Sequence, residues 1–283
     1  MSTFSNHEQT AQLSDGKTAY HIHGERGPWV VLVHGLLTPM FAWQPLAEML
    51  ASEGYRVLRY DQFGRGLSDR PQLRYEPALY VRQLDELTRV LGIDAMHVVS
   101  WSMGGVIASR FAAQAPERVR SLTLIAPALF LNPPLKVRLL VGSALGRRLI
   151  ARGLKRTVHA LSEQHLVRPD LRASYRAGVL AQLETPGVGE SFASTLQHFA
   201  WNDGPALTAV GQHARPVLIV WGDQDVTTPY ANAARVQQLF PRASMLRVEG
   251  ARHGVHLEYQ DVVYPALCSC LQQAERSPHS PPL

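Results

Sequence analysis

The segment Val98-Val-Ser-Trp-Ser102-Met-Gly-Gly105 sets a serine between an apolar run that reads as a strand and a periodic stretch that reads as a helix. A serine hydroxyl becomes a nucleophile when a base takes its proton, and a sharp strand-to-helix turn presents it clear of the backbone. That turn brings strand and helix so close that the residues two before and two after must be small, a demand that Ser100 and Gly104 meet. It also aims the N–H of Met103 at the same space, so nucleophile and oxyanion donor come from one element. Standing alone, Ser102 reads better as an ordinary N-cap of the helix that begins at Met103.

The elements that must hold this serine alternate along the chain. Two short segments from Ala11 to Gly24 flank the turn pair Asp15-Gly16 and predict an antiparallel edge hairpin. Strands are then expected at 29–34, 56–60, 96–100 and 122–125, with helices at 46–52, 80–91 and 103–114 between them. The pattern resumes with a strand at 217–221, a helix at 230–239, a strand at 244–248 and a last helix at about 257–273. This is the order of an α/β fold with a mostly parallel sheet covered by helices on both faces. Between 128 and 214 the alternation stops and only helical patterns remain. The expected organisation is a core of 1–127 and 215–275, an inserted helical lid of 128–214, and a disordered Ser/Pro-rich tail of 276–283.

Composition narrows the function classes. With 46% hydrophobic and 18% charged residues, the 283-residue chain is neither disordered nor fibrous. Cys268 and Cys270 are too few and too close for a disulfide framework. The first ten residues carry no basic or apolar leader pattern, and no apolar run approaches membrane-spanning length, so a soluble cytoplasmic protein is expected. The net charge of +5 is misleading: residues 136–176 hold ten Lys or Arg against Glu163 and Asp170, a net +8 that leaves −3 elsewhere. Basicity belongs to the lid, and nothing resembles a nucleic-acid recognition helix or an aromatic platform.

Around Ser102 the chain resembles the α/β-hydrolase family, with Ser100-Trp-Ser102-Met-Gly104 in place of the usual Gly-x-Ser-x-Gly. The run Val30-Val-Leu-Val-His34-Gly-Leu36-Leu is similar to the family's oxyanion loop, which makes the N–H of Leu36 the second oxyanion donor and His34 a loop support. Asp61-Gln-Phe-Gly-Arg-Gly-Leu-Ser68 resembles a scaffold segment of the family. Val217-Leu-Ile-Val-Trp-Gly-Asp-Gln-Asp225 places Asp225 where the family's triad acid lies, with Asp223 shaping the turn. Glu249-Gly-Ala-Arg252-His253-Gly-Val-His256-Leu-Glu258 resembles the run bearing the family's base, although Arg252 replaces its glycine; His253 takes that role and His256 is a structural partner. The order Ser, Asp, His, with the lid between the first two, also matches the family. The resemblance further places Leu37, Trp101 and Val226 in the substrate pocket.

What this resemblance implies is a cofactor-free serine hydrolase with no metal. His253 takes the Ser102 proton, Asp225 orients the imidazole, and the amides of Leu36 and Met103 stabilise the oxyanion. A serine rather than an aspartate nucleophile argues against epoxide and haloalkane chemistry. Carboxylic ester hydrolysis, including acylglycerols, is expected; lactone, carrier-protein (thio)ester and hydrolytic C–C cleavage remain on the same triad, as does a non-catalytic ligand receptor. The lid's basic residues are either solvated while its apolar ones face the site, or gather an anionic membrane surface or an acidic carrier protein.

Overall fold

A computed structural model describes residues 8–131, 133–202 and 204–276, so the tail expected over 276–283 lies outside the described residues apart from Arg276. Among the described residues, eight strands form one sheet in the order β1-β2-β4-β3-β5-β6-β7-β8. The strands are β1 (Gln9–Leu13), β2 (Gly16–His23), β3 (Trp29–Val33), β4 (Arg56–Tyr60), β5 (Met96–Trp101), β6 (Val119–Ile125), β7 (Val217–Gly222) and β8 (Ser244–Val248). The β1–β2 hairpin and its junction with β4 are antiparallel, and every other pairing is parallel. β5 and β7 are buried along their whole length, as strands covered on both faces must be, whereas the edge strand β8 is buried only at Val248.

The helices are α1 (Gln44–Ser52), α2 (Pro77–Val90), α3 (Met103–Gln114), α4 (Leu135–Val141), α5 (Ala144–His165), α6 (Pro169–Gln182), α7 (Val188–His198), α8 (Gly204–Gln212), α9 (Ala233–Leu239), α10 (Val255–Glu258) and α11 (Gln260–Glu275). α3 packs on β3, β5 and β6, and α11 on β6, β7 and β8. After β3 the chain crosses to β4 on one side, and after α2 it returns to β5 on the other. The crevice outside the carboxyl ends of β3 and β5 is therefore a switch point of the kind where open α/β sheets bind ligands. Val33 lies beside Ser100 in the register, which brings the loop after β3 level with Ser102.

Two expectations need correction. Within 128–214, α4 to α7 pack on one another, but α8 sits against α3 and α9, where Gly211 approaches so closely that a Cβ would fall 1.7 Å from the Leu239 carbonyl oxygen. The last helix is two: Tyr259, with φ −112° and ψ 49°, leaves the helical region between α10 and α11. The basic segment 135–156 is two helices, α4 and α5, and α5 runs unbroken through Gly146 and Gly153. The break falls at Gly142. Ser143 caps α5 by accepting from Gly146 N at 3.0 Å, and Gly146 lets α5 start close to α4, since a Cβ there would meet the Leu140 carbonyl oxygen at 1.9 Å.

Candidate active site

Ser102 has φ 55° and ψ −119°, a left-handed backbone that costs about 1–3 kcal/mol for a residue with a side chain. Its surroundings impose the strain. Its N–H donates to Ile125 O at 3.0 Å, and its carbonyl accepts from Gly105 N and Ala128 N, both at 2.9 Å. A Cβ on Gly104 would lie 2.3 Å from the Val33 carbonyl oxygen, so only glycine lets α3 leave the sheet here. Gly105 is pressed in the same way, 2.8 Å from Pro127 Cβ, a constraint that the spacing argument missed. Ser100 fills the family's other glycine position with its hydroxyl buried and donating to Thr123 O at 3.0 Å.

His253 and Asp225 arrive from loops after β8 and β7. His253 Nδ1 donates to Asp225 Oδ2 at 2.8 Å, and both side chains are buried. The remaining carboxylate valences are filled by the N–H groups of Thr227 and Thr228, at 2.8 and 2.9 Å on Oδ1, and by the Thr228 hydroxyl at 2.8 Å on Oδ2. Thr228 was not singled out in the sequence; an Asp followed two and three residues on by Thr is the turn signal that marks it. Asp223 instead accepts from Gly250 N and pairs with Arg247, which holds its carboxyl below the usual range. It shapes the turn and does not reach His253.

Ser102 and His253 line one pocket of about 100 Å³, walled mainly by Leu37, Trp101, Ala128, Leu131, Leu161 and Trp201. Leu36 lines it as well, and its carbonyl accepts from Arg65 Nε, which fixes the orientation of the loop. Arg65 is fully buried and ties this loop to α7 through Ser191 and Thr195 at 2.8 and 3.0 Å. Met103 opens α3, so its N–H is a first-turn amide without a partner inside the helix. Trp101 does more than line the pocket: its Nε1 donates to His253 O at 2.9 Å, and the two rings lie 5.3 Å apart. Val226, expected in the pocket, is 64% exposed, because the turn held by Asp225 directs Thr227 inward instead.

The helical segment adds a residue that no motif pointed to. His165, at the end of α5, lines the pocket with its ring 4.7 Å from that of His253. Its Nδ1 bonds the Tyr175 hydroxyl at 2.9 Å, which bonds Thr38 Oγ1 at 2.7 Å, while Nε2 is buried without a partner. Burial, and then the neighbouring His253, push its pKa well below the ordinary value, so it stays neutral. Around it the loop that carries His253 is clamped to α5 and α6. Arg252 Nη1 donates to Glu163 O at 2.5 Å, Gly254 N to His165 O at 2.8 Å, and the Glu258 carboxylate accepts from Val167 N and Arg168 N. The arginine in place of a glycine thus reaches across to the helical segment.

His34 and His256 are structural. His34 Nδ1 donates to Gly35 O at 2.7 Å and Nε2 accepts from Gln62 N at 2.9 Å, a neutral tautomer locked by both neighbours. His256 lies between Trp43 and Trp101 with neither ring nitrogen partnered, and burial lowers its pKa to about 3. The unfolded chain takes up this proton near pH 6.5 while the native one refuses it until about pH 3. Its contribution is intact above pH 6.5 and falls with pH by up to about 1.4 kcal/mol per unit in that window. His256→Phe should flatten the pH dependence of urea unfolding between pH 6.5 and 4.5 and raise stability at the acid end. An unchanged slope would mean that His256 is protonated in the native state.

A profile of the alpha/beta hydrolase fold matches residues 28–259. The chain is 29% identical over 255 residues to a pimeloyl-[acyl-carrier protein] methyl ester esterase of Nitrosomonas europaea, covering 83% of this chain and 92% of that one. It is 28% identical over 263 residues to a 2-hydroxy-6-oxononadienedioate/2-hydroxy-6-oxononatrienedioate hydrolase of Paraburkholderia xenovorans, covering 87% and 88%. The crystal structure of an enol-lactonase from Burkholderia xenovorans superposes with a TM-score of 0.76 at 23% identity, over 93% of this chain and all of that one. A strained serine between β5 and α3, a buried Asp–His pair after β7 and β8, and a profile match spanning most of the sequence place this chain in the α/β-hydrolase fold family.

Proposed function

We propose that the protein hydrolyses carboxylic esters through an acyl-enzyme on Ser102. The supporting observation is the placing of Ser102 and His253 in one pocket, with His253 backed by a fully hydrogen-bonded Asp225. His253 Nε2 accepts the Ser102 proton as Oγ attacks the carbonyl carbon, and Asp225 keeps Nδ1 protonated and steadies the imidazolium. The amides of Leu36 and Met103 receive the oxyanion. The leaving alcohol takes the proton from His253; water then gives a proton to His253 as its oxygen attacks the acyl carbon, and Ser102 Oγ leaves with that proton as the acid is released. The methyl ester esterase among the relatives supports an ester bond as the target. α4 to α7 act as a lid, with Leu161 and His165 forming part of the wall above Ser102.

The pocket is small beside the 300–1,000 Å³ typical of drug-sized ligand sites, and its walls are apolar, which favours a short acyl group. Among 4-nitrophenyl esters, kcat/KM should peak between acetate and butyrate and fall at least tenfold by decanoate. A maximum at decanoate would overturn the short-acyl reading. Mass spectrometry after a fluorophosphonate should place the label on Ser102. Turnover of a lactone or a dienoic diketone, with no ester cleaved, would replace the ester reading by a sister reaction on the same serine.

A further inference from the structure

α4 and the first half of α5 leave five leucines in solvent: Leu135 at 66%, Leu139 at 69%, Leu140 at 38%, Leu145 at 68% and Leu149 at 50% exposed. They make up five of the eleven exposed large hydrophobic residues among the described residues, gathered in fifteen positions. Leucines scattered singly over a surface need no explanation, but a cluster of this kind marks something that covers it. Lys136, Arg138, Arg148 and Arg152 stand exposed among them, and no Asp or Glu occurs from Leu135 to Ser162. Beside this face runs a groove of about 770 Å³, walled in part by Arg70, Arg74, Arg147 and Arg148, with Glu190 its one carboxylate.

The chemistry of the face selects its occupant. A second copy packed about a twofold axis would set cations against cations. An acidic protein would answer the arginines yet gain little from five leucines. A bilayer with anionic phospholipids offers both at the right depths, phosphates at the surface and acyl chains just beneath, and helices that combine exposed leucines with Lys and Arg lie in that interface. Among the described residues no helix is long and apolar enough to cross a membrane, so contact would be at the surface. The face also borders the candidate site: a second groove, of about 390 Å³, is lined by Leu135, Leu139 and Trp201, and Trp201 is a wall of the Ser102 pocket.

We propose that α4 and the amino-terminal half of α5 form a docking surface for anionic phospholipid bilayers, with the leucines dipping below the phosphates that the arginines bind. The proposal goes beyond ester hydrolysis and is read without turnover, so an inactive enzyme would leave it standing. The test is cosedimentation of the full chain with vesicles of phosphatidylcholine alone or with about 30% phosphatidylglycerol. Binding at low salt should be at least tenfold tighter to the anionic vesicles and should weaken as salt rises. Leu145→Ser/Leu149→Ser should cut that binding at least tenfold at every salt concentration. Arg148→Glu/Arg152→Glu should erase the preference for anionic lipid. Circular dichroism and hydrolysis of a small soluble ester report that both variants are folded. No binding by the wild-type chain, or equal binding to the two vesicle types, overturns the proposal. So does vesicle binding that survives loss of the leucines and needs only charge, or a leucine-dependent dimer that ignores vesicles.

Discussion

Ser102→Ala should lower kcat on a short 4-nitrophenyl ester by about 10⁴-fold or more while leaving the thermal midpoint close to wild type. His253→Ala should fall equally far, since nucleophile and base act as one unit and neither is useful alone. Asp225→Asn should lose less turnover, because Ser102 and His253 remain. Its buried amide would also place two hydrogens where Thr227 N, Thr228 N and the Thr228 hydroxyl now donate to a carboxylate, so some stability goes as well. Stopped-flow kinetics of the wild type should show a burst of nitrophenol equal to the enzyme concentration wherever deacylation is the slower step. The assignment is wrong if Ser102→Ala keeps substantial turnover while Ser100→Ala loses it.

Gly104→Ala should do damage of a different kind. One methyl group would have to occupy space 2.3 Å from the Val33 carbonyl oxygen and 2.8 Å from that of His34, and both are backbone atoms of the sheet and its loop. Neither can swing aside as a flexible side chain would, so α3 must be pushed off the sheet. The expected cost is about 3 kcal/mol or more in urea unfolding. Displacing α3 also moves the Met103 N–H, and losing one oxyanion donor lowers kcat about 10²–10³-fold. Ser100→Gly is the contrasting change. It restores the glycine common in the family and removes one hydrogen bond to Thr123 O, so about 1 kcal/mol should go with turnover nearly kept. Should Gly104→Ala fold and react like wild type, the turn is looser than its contacts indicate.

Much of this was legible in the sequence because the sheet is buried on both faces. Continuous apolar runs such as Val217 to Trp221 end at turn residues, and α3 and β8 fall on the expected boundaries. Ser102, Asp225 and His253 stood out in the sequence for a related reason: each follows a strand, where the chain has little freedom in what it can place. The helical segment was another matter. Its residues answer to contacts far away in sequence, so neither the unbroken run of α5 nor the docking of α8 on α3 could be read from local spacing. His165 carries no motif at all. It matters through Tyr175, Thr38 and His253, which only the folded chain brings together. Val226 failed on a finer scale, since the side-chain direction within the turn after Asp225 is set by hydrogen bonds to the carboxylate.

The bonds that Arg252, Gly254 and Glu258 make to the end of α5 and the start of α6 pin the carboxyl end of α5 to the loop that carries His253. Its 22 residues span about 33 Å from that pinned end to the corner at Ser143. α6 and α7 brace the helix along the way, and Gly189 lies so close that a Cβ there would fall 2.6 Å from Ala151 Cβ. The far half bears the exposed leucines and arginines, and the pinned end bears His165 in the pocket wall. One braced helix thus separates the apolar, cationic face from the pocket by most of its length, so the far face can be altered without loosening the bonds that hold the His253 loop.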